Sequence, residues 1–267
     1  MLPRPAVRLA PLFCAATFLS AQWLDYPTPN VPHSADGKPN LNAPAPRTAD
    51  GKPDFSGMWG WVTRSNCLGH CDDFQVSREF INIASSLAPN KLPYQPGVAD
   101  LVKKRSAQQD LDPNVHCMPR DAPRIWTDDY YKRIFMAPDR MIILTERNMQ
   151  YRQIFMDGRR LPEDPNPIWN GYSTAKWDGD TLVVDTIGFK DDLWLDANGN
   201  PLSSAARMTE RIRRPNYGTL SLEITINDPK NYTAPWTVKF EEPLILDSEL
   251  LDYYCLENER DRVHMVK

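Results

Sequence analysis

The sequence predicts a mainly β protein, an antiparallel up-and-down β-barrel with a short helical pair and an irregular N-terminal strap. From Tyr130 onward, short β-rich runs alternate with turn sequences such as Asp178-Gly179, where glycine accepts the positive φ that a hairpin turn requires. One run, 219–226, alternates strictly between apolar and polar residues, as expected for a strand with one buried face. The 25 prolines, about twice the usual share, disfavour long helices.

Nine segments of the chain have the composition of strands and are bounded by turn residues. They are 130–136, 141–147, 149–156, 172–177, 181–187, 208–214, 219–226, 236–242 and 250–255. Because most of the links between them are short, consecutive strands are expected to be antiparallel neighbours. A meander of this length is expected to close into a barrel.

The first 21 residues have the pattern of a signal peptide. Arg4 and Arg8 form a basic start, and residues 9–21 form an apolar run that is too short to span a bilayer. Cleavage near Ala21 is expected, which predicts a periplasmic or secreted protein. No later stretch is long and apolar enough for a transmembrane helix, so no membrane span is predicted.

The charge balance disfavours nucleic acid as a partner. The whole chain carries a formal net charge of −4, and removing Arg4 and Arg8 with the leader leaves 29 basic and 35 acidic residues, a net charge of −6. No long run of lysine or arginine stands out. An acidic chain without a basic patch is a poor match for a phosphate backbone.

The mature chain is expected to comprise a Pro-rich strap, 22–54, and a single barrel domain, 55–267, with a helical insertion at about 77–109. Ala-Asp-Gly-Lys-Pro occurs twice in the strap, at 35–39 and 49–53, which predicts two turns. A surface strap and a flexible spacer are both compatible with this composition. In the insertion, apolar residues fall at helical spacing up to Pro89, and Pro96 suits the first turn of a second helix.

Export leaves four cysteines, an even number that predicts disulfides in an oxidising compartment. They are Cys67, Cys71, Cys117 and Cys255. Three pairings are possible, and we favour a local Cys67–Cys71 pair with a long-range Cys117–Cys255 pair. With His70 and His116 the same cysteines could form a zinc site, but the Cys-x3-Cys spacing is loose and no metal is predicted.

Gly57 and Trp59 at the start of the predicted domain resemble the Gly-x-Trp opening of lipocalin-type barrels. Longer motifs resemble a large group of secreted bacterial proteins that is frequent in Acidobacteria. They are 48–59 (TADGKPDFSGMW), 117–124 (CMPRDAPR), 171–186 (GYSTAKWDGDTLVVDT), 209–228 (TERIRRPNYGTLSLEITIND), 232–236 (YTAPW) and 255–258 (CLEN). The resemblance covers most of the mature chain and implies export, but no established activity. Relatives often carry His before the residue equivalent to Ser203, whereas Leu202 stands there in this chain.

The sixth predicted strand contains the carboxylate best suited to catalysis. Met208, Glu210 and Ile212 share one face by the period of two, so Glu210 points inward if its apolar neighbours do. Burial raises the pKa of a carboxyl group, which would suit a general acid or base. The alternative is that Glu210 pairs with an interior Arg or Tyr and only stabilises the barrel. His116 and Tyr151 are the other candidate catalytic residues.

Aromatic and charged side chains on the predicted strands could line a ligand site. They are Tyr131, Arg152, Tyr172, Trp177, Asp185, Arg211 and Trp236. Aromatic faces in a concave site suit sugar rings, phenolics or terpenoids, although Tyr and Trp also fill β cores. The direction of Asp185 is undetermined, because both faces of its strand are apolar.

Two functions of different classes fit these observations. The first is a secreted or periplasmic lipocalin-like protein that binds a small apolar or aromatic ligand. The second is a cofactor-independent lyase, isomerase or hydrolase acting on a small terpenoid, phenolic or glycosidic substrate. The enzyme requires a water-accessible Glu210 with Tyr or His within hydrogen-bond reach, whereas the binding protein requires an apolar cavity. No phosphate-binding loop, nucleophile elbow or zinc-protease motif is present, so no cofactor is predicted. The sequence does not determine the oligomeric state.

Overall fold

A computed structural model describes residues 27–60, 83, 87, 92–120, 122–127 and 130–255. Nine of its strands form one curled, nearly closed barrel-like sheet, and two more form a separate hairpin. The strands are β1 (Gly57–Trp59), β2 (Lys132–Ala137), β3 (Arg140–Thr145), β4 (Tyr151–Phe155), β5 (Tyr172–Asp178), β6 (Thr181–Ile187), β7 (Leu193–Trp194), β8 (Pro201–Leu202), β9 (Arg207–Asn216), β10 (Thr219–Asn227) and β11 (Trp236–Pro243). The mainly β prediction is therefore confirmed.

The large sheet has the order β1-β2-β3-β4-β5-β6-β9-β10-β11. Its neighbours are antiparallel except β4 and β5, which pair in parallel at Ile154–Ser173 and Phe155–Thr174. The prediction of a wholly antiparallel meander is wrong at this pair. The reason is the connection 156–171, which is long enough to return the chain to the starting end of β4, whereas a tight turn would reverse it.

The two edges of the sheet meet beside β1. Trp59 forms a bridge with Leu244, just after β11. The N–H of Gly60 donates to the carbonyl of Pro243 (2.9 Å), and the N–H of Ile245 donates to the carbonyl of Met58 (2.9 Å). These bonds satisfy edge groups that would otherwise be open to another chain.

The candidate strands before residue 243 correspond to β2–β6 and β9–β11, with their ends shifted by a few residues. The strand predicted at 250–255 is wrong, since only an isolated bridge between Arg147 and Tyr253 forms there. The β7–β8 hairpin was not predicted, because two-residue strands leave no periodic signal.

Strict alternation places the apolar side chains inside the barrel. On β10, Leu220, Leu222, Ile224 and Ile226 are buried, as the alternation of 219–226 predicts. Each such side chain stabilises the fold by about 1.5–3 kcal/mol relative to exposure. The core also contains Phe55, Trp59, Trp126, Ile134, Met141, Ile143, Ile154, Leu182, Val184, Met208, Ile212, Val238 and Phe240.

The described part of the strap, 27–54, contains no helix or strand and lies against the barrel. The two Ala-Asp-Gly-Lys-Pro copies form the same turn, with φ of +80° at both Gly37 and Gly51. The second copy is attached to the β5–β6 turn, where both guanidinium ends of Arg47 donate to Asp180 (3.0 and 2.7 Å). These contacts attach the strap to the turn between β5 and β6.

The helix α1, Val98–Ala107, confirms the second predicted helix. The first predicted helix lies almost entirely outside the described residues, although Ile83 within it is buried. Three single-turn 3-10 helices follow α1 and lead into the barrel; they are Gln109–Leu111, Pro113–His116 and Arg124–Trp126. None of the helices that the structure describes is long and apolar enough to cross a membrane.

Cys117 and Cys255 form a disulfide across 138 positions of sequence, which confirms the long-range pair. Cys67 and Cys71 lie outside the described residues, as does the predicted leader. Because the Cys117 sulfur is bonded to Cys255, it is not a thiolate ligand for zinc.

A buried ion pair between Asp112 and Arg124 joins two of the 3-10 helices. Asp112 caps the helix Pro113–His116 through the N–H of Asn114 (2.9 Å) and accepts from both ends of Arg124 (2.9 and 2.5 Å). Burial alone would raise the pKa of Asp112, but the hydrogen bonds and charge of Arg124, the Asn114 N–H and the charge of Arg120 together hold this pKa below its ordinary value.

A pH-dependent loss of stability is expected for the Arg124→Gln variant. The pKa of Asp112 is lower in the folded state than in the unfolded chain, where it is about 3.9. The ion pair therefore stabilises the fold fully above the unfolded pKa, and this stabilisation is lost as the pH falls through the folded pKa. At pH 7 the variant should lose about 3–5 kcal/mol of unfolding free energy, and the difference from wild type should shrink below pH 4. Urea denaturation over this pH range measures the difference. A constant difference would contradict the assignment, and Arg211→Gln, which breaks an exposed pair with Asp178, is the control.

Candidate functional site

Glu210 lies inside the barrel, as the strand periodicity predicts. Met208, Glu210 and Ile212 are all fully buried on the inner face of β9. Arg152, on the inner face of β4, reaches the same point. The structure thus brings together two of the predicted site residues from strands that lie 58 positions apart in sequence.

The carboxylate of Glu210 is enclosed by donors. Its Oε1 accepts from the indole Nε1 of Trp126 (2.6 Å) and from Nη1 of Arg152 (2.8 Å), and its Oε2 accepts from Nη2 of Arg152. Arg152 also donates to Ser173 (3.2 Å) and Thr186 (3.1 Å). We call these five residues the interior cluster. Glu210 has no exposed surface, so the geometry favours the structural alternative for this carboxylate over a general acid or base.

A second ion pair lies in the same interior. Nζ of Lys132 donates to Glu242 (2.8 Å), and both side chains are buried. Nζ of Lys132 also lies 5.8 Å from the ring centre of Trp126. Trp126, in the last of the 3-10 helices, therefore contacts both ion pairs. The sequence offered no signal for this role, because Trp126 lies in a segment without periodicity.

The other predicted catalytic residues do not approach Glu210. Tyr151 is 63% exposed and points to the outside of β4, opposite to Arg152. His116 is exposed on a 3-10 helix, where its Nε2 lies 2.7 Å from the carbonyl oxygen of Asp110. Neither Tyr151 nor His116 hydrogen-bonds with Glu210. The acid–base partner that the enzyme hypothesis requires is thus not among the predicted residues.

The predicted ligand-binding residues divide between the two faces of the sheet. Arg152 and Trp236 are buried inside, and Trp177 packs against Phe55 beneath the strap (ring centres 5.5 Å apart). The remaining four lie on the outer face or the rim: Tyr131 donates its N–H to Glu146 (3.3 Å), Tyr172 stacks on Phe155 (5.3 Å), Asp185 accepts from Thr209 (2.7 Å), and Arg211 pairs with Asp178 (2.9 Å). These seven residues do not form one site.

A different concave site lies where the strap meets the barrel. This cavity has a volume of about 510 Å³ and is open to solvent on one side. We call it the strap groove. Its walls come from three parts of the chain, namely the strap, the β1 end of the barrel and the segment after β11; they include Thr28, Ser56, Met58, Leu244, Ile245 and Ser248.

Two arginines supply the positive charge of the strap groove. Arg214 lies on the inner face of β9, near the end of the strand, and is only 5% exposed. Its guanidinium donates to the carbonyls of Asp54 (2.6 Å), Ser56 (3.2 Å) and Tyr217 (3.1 and 2.5 Å). Arg133 pairs with Glu249 at the rim (2.5 Å). Burial lowers the pKa of Arg214 to about 10, so its guanidinium remains charged at neutral pH.

Comparison with known proteins does not identify a function for this site. No protein-family model and no curated protein sequence matches the chain.

Proposed function

We propose that this protein is a periplasmic or secreted lipocalin-like binding protein whose small, largely apolar ligand occupies the strap groove. The observation that carries the proposal is the groove itself. Its volume of about 510 Å³ lies within the range of roughly 300–1,000 Å³ typical of small-molecule sites. Met58, Leu244 and Ile245 give the groove apolar surface, and polar and charged side chains line the rest of it.

The interior cluster supports this choice over the enzyme. A general acid or base must reach a substrate, and among the described residues the carboxylate of Glu210 hydrogen-bonds with Trp126 and Arg152. The side chains around it, such as Val184 and Met208, are fully buried. The centre of the barrel is packed at these residues, so the groove at its end is the better candidate for a ligand.

Export is part of the proposal. The disulfide between Cys117 and Cys255 favours an oxidising compartment, because cytosolic thiols are kept reduced. The leader-like first 21 residues and the motifs shared with the secreted bacterial group favour the same location.

The expected result is that N-phenyl-1-naphthylamine, a neutral aromatic probe, binds to the groove and is displaced by filling it. Ser248 is half-buried on the groove wall. We expect Ser248→Trp to weaken binding at least tenfold, because an indole occupies part of the cavity. Probe fluorescence, excited outside the tryptophan absorption band, measures the affinity.

Lys176→Trp is the matched control, since it adds the same side chain at an exposed position on β5. Its affinity should stay within twofold of wild type. Equal affinities for wild type and Ser248→Trp, or no binding to wild type, would contradict the proposed site.

A further inference from the structure

We propose that the ligand of the strap groove carries an anionic group, a carboxylate or sulfonate, and that Arg214 binds this group. The inference rests on the proposed binding function and names the chemical class of the ligand. Three observations on Arg214 and its surroundings support it.

The first observation is a contrast among the cations inside the barrel. The inner faces of the described strands carry three, Lys132, Arg152 and Arg214. Lys132 pairs with Glu242 and Arg152 pairs with Glu210. Arg214 forms no ion pair with a carboxylate in the part of the chain that the structure describes, and it is the one of the three that lines the groove. Asp54 lies near enough for its charge to act on Arg214 but forms no ion pair with it, so an anion in direct contact with this buried guanidinium would stabilise the complex.

The second observation is the count of donors on Arg214. A guanidinium has five N–H bonds. Nη1 donates to the carbonyls of Asp54 and Ser56, and both Nε and Nη2 donate to that of Tyr217. These four contacts leave one N–H of Nη2 without an acceptor among the described residues. The carbonyls also fix the guanidinium in place, so little side-chain entropy is lost when an anion binds.

The third observation is a second donor beside the first. The Oγ of Ser56 accepts the N–H of Met136 (3.1 Å), which leaves its own hydrogen available. Ser56 lines the groove, and its carbonyl lies 3.2 Å from Nη1 of Arg214. The guanidinium and the hydroxyl can therefore both donate to one anionic group.

Two carboxylates also line the groove and limit its affinity for anions. Glu249 is paired with Arg133 at the rim. Asp54 accepts the N–H of Ser56 (2.8 Å) and makes no direct contact with Arg214 through its side chain. A ligand that fits has its acidic group at Arg214, away from the rim pair, and its apolar body against Met58, Leu244 and Ile245. This describes an amphipathic organic acid.

The test compares two probes that differ only in the anionic group. 1-Anilinonaphthalene-8-sulfonate has the same aromatic body as N-phenyl-1-naphthylamine and adds a sulfonate. We expect wild type to bind the sulfonate probe at least tenfold more tightly, because the sulfonate accepts charge-assisted hydrogen bonds that the neutral probe cannot accept. Arg214→Gln should abolish this preference, so that the two probes bind the variant with equal affinity. Arg213→Met, at an exposed position on the outer face of β9, should change neither affinity.

A second variant keeps the test decisive if Arg214→Gln does not fold. Ser56→Ala leaves the guanidinium in place and should lower the ratio of the affinity for the sulfonate probe to that for the neutral probe by about threefold to tenfold. Equal binding of the two probes to wild type, with Ser248→Trp weakening both, would overturn this inference and leave the proposed function standing. Binding of neither probe would overturn the proposed function itself.

Discussion

Replacing Glu210 with glutamine is expected to lower the free energy of unfolding by about 3–5 kcal/mol, because it leaves the guanidinium of Arg152 buried without a counter-charge. The amide also turns an N–H₂ group toward Trp126 or Arg152, both of which donate to this position. A typical domain is stable by only about 5–15 kcal/mol, so this is a large part of the total. Urea denaturation at pH 7 measures the change.

The matched control for this variant is Glu223→Gln. Glu223 pairs with Lys239 (2.7 Å) on the outer face of β10, where both side chains contact solvent. Exposed pairs contribute about 0–1 kcal/mol, so this variant should remain close to wild type. A loss below about 1 kcal/mol for Glu210→Gln would contradict the structural role that the burial of the pair implies.

Two further variants separate the charge from the packing. Arg152→Met should destabilise the protein about as much as Glu210→Gln, since it leaves the carboxylate of Glu210 buried without its cation. The double variant Arg152→Met/Glu210→Leu should be more stable than either single variant, because no unpaired charge remains. If Glu210→Gln stays folded, its affinity for N-phenyl-1-naphthylamine should be unchanged, since Glu210 does not line the groove.

The parts of the fold that follow from local chemistry could be predicted from the sequence. The period of two placed Met208, Glu210 and Ile212 on one buried face. The turn residues Asp178-Gly179 placed the boundary between β5 and β6. The even number of cysteines, with the preference for one local and one distant pair, identified Cys117–Cys255. Each of these signals lies within a few residues of the feature that it predicts, or depends only on residue type.

The parts that depend on distant contacts could not be predicted. The parallel β4–β5 pair depends on the path of the 156–171 connection, which composition does not determine. Trp126 has no periodic neighbours, although it joins both interior ion pairs. The strap groove combines Thr28, Arg214 and Ser248, which lie far apart in sequence. Side-chain type alone suggests ligand residues such as Tyr172, and an aromatic residue on a strand can point to either face.

Removing the disulfide is the second change with a large expected effect. The double variant Cys117→Ser/Cys255→Ser is expected to lose about 2–5 kcal/mol of unfolding free energy, because the bond closes a long loop and restricts the unfolded chain. Urea denaturation under non-reducing conditions measures this loss. Cys67→Ser/Cys71→Ser is the control, since the bond that the sequence predicts between them would close a short loop and would restrict the unfolded chain much less.

The same variant tests whether the disulfide also positions the groove. Cys255 ends the described segment that follows β11, and Ser248 and Glu249 of this segment line the groove. Other attachments of this segment include the N–H of Leu251 to Glu146 (3.0 Å) and a tilted ring contact between Tyr253 and Tyr130 (ring centres 4.9 Å apart). Because the bond anchors the end of one groove wall, the folded double variant should bind N-phenyl-1-naphthylamine more weakly than wild type. Unchanged stability would show that the cross-link does not restrict the unfolded chain. Unchanged affinity would show that contacts such as Arg133–Glu249 suffice to hold the wall in place.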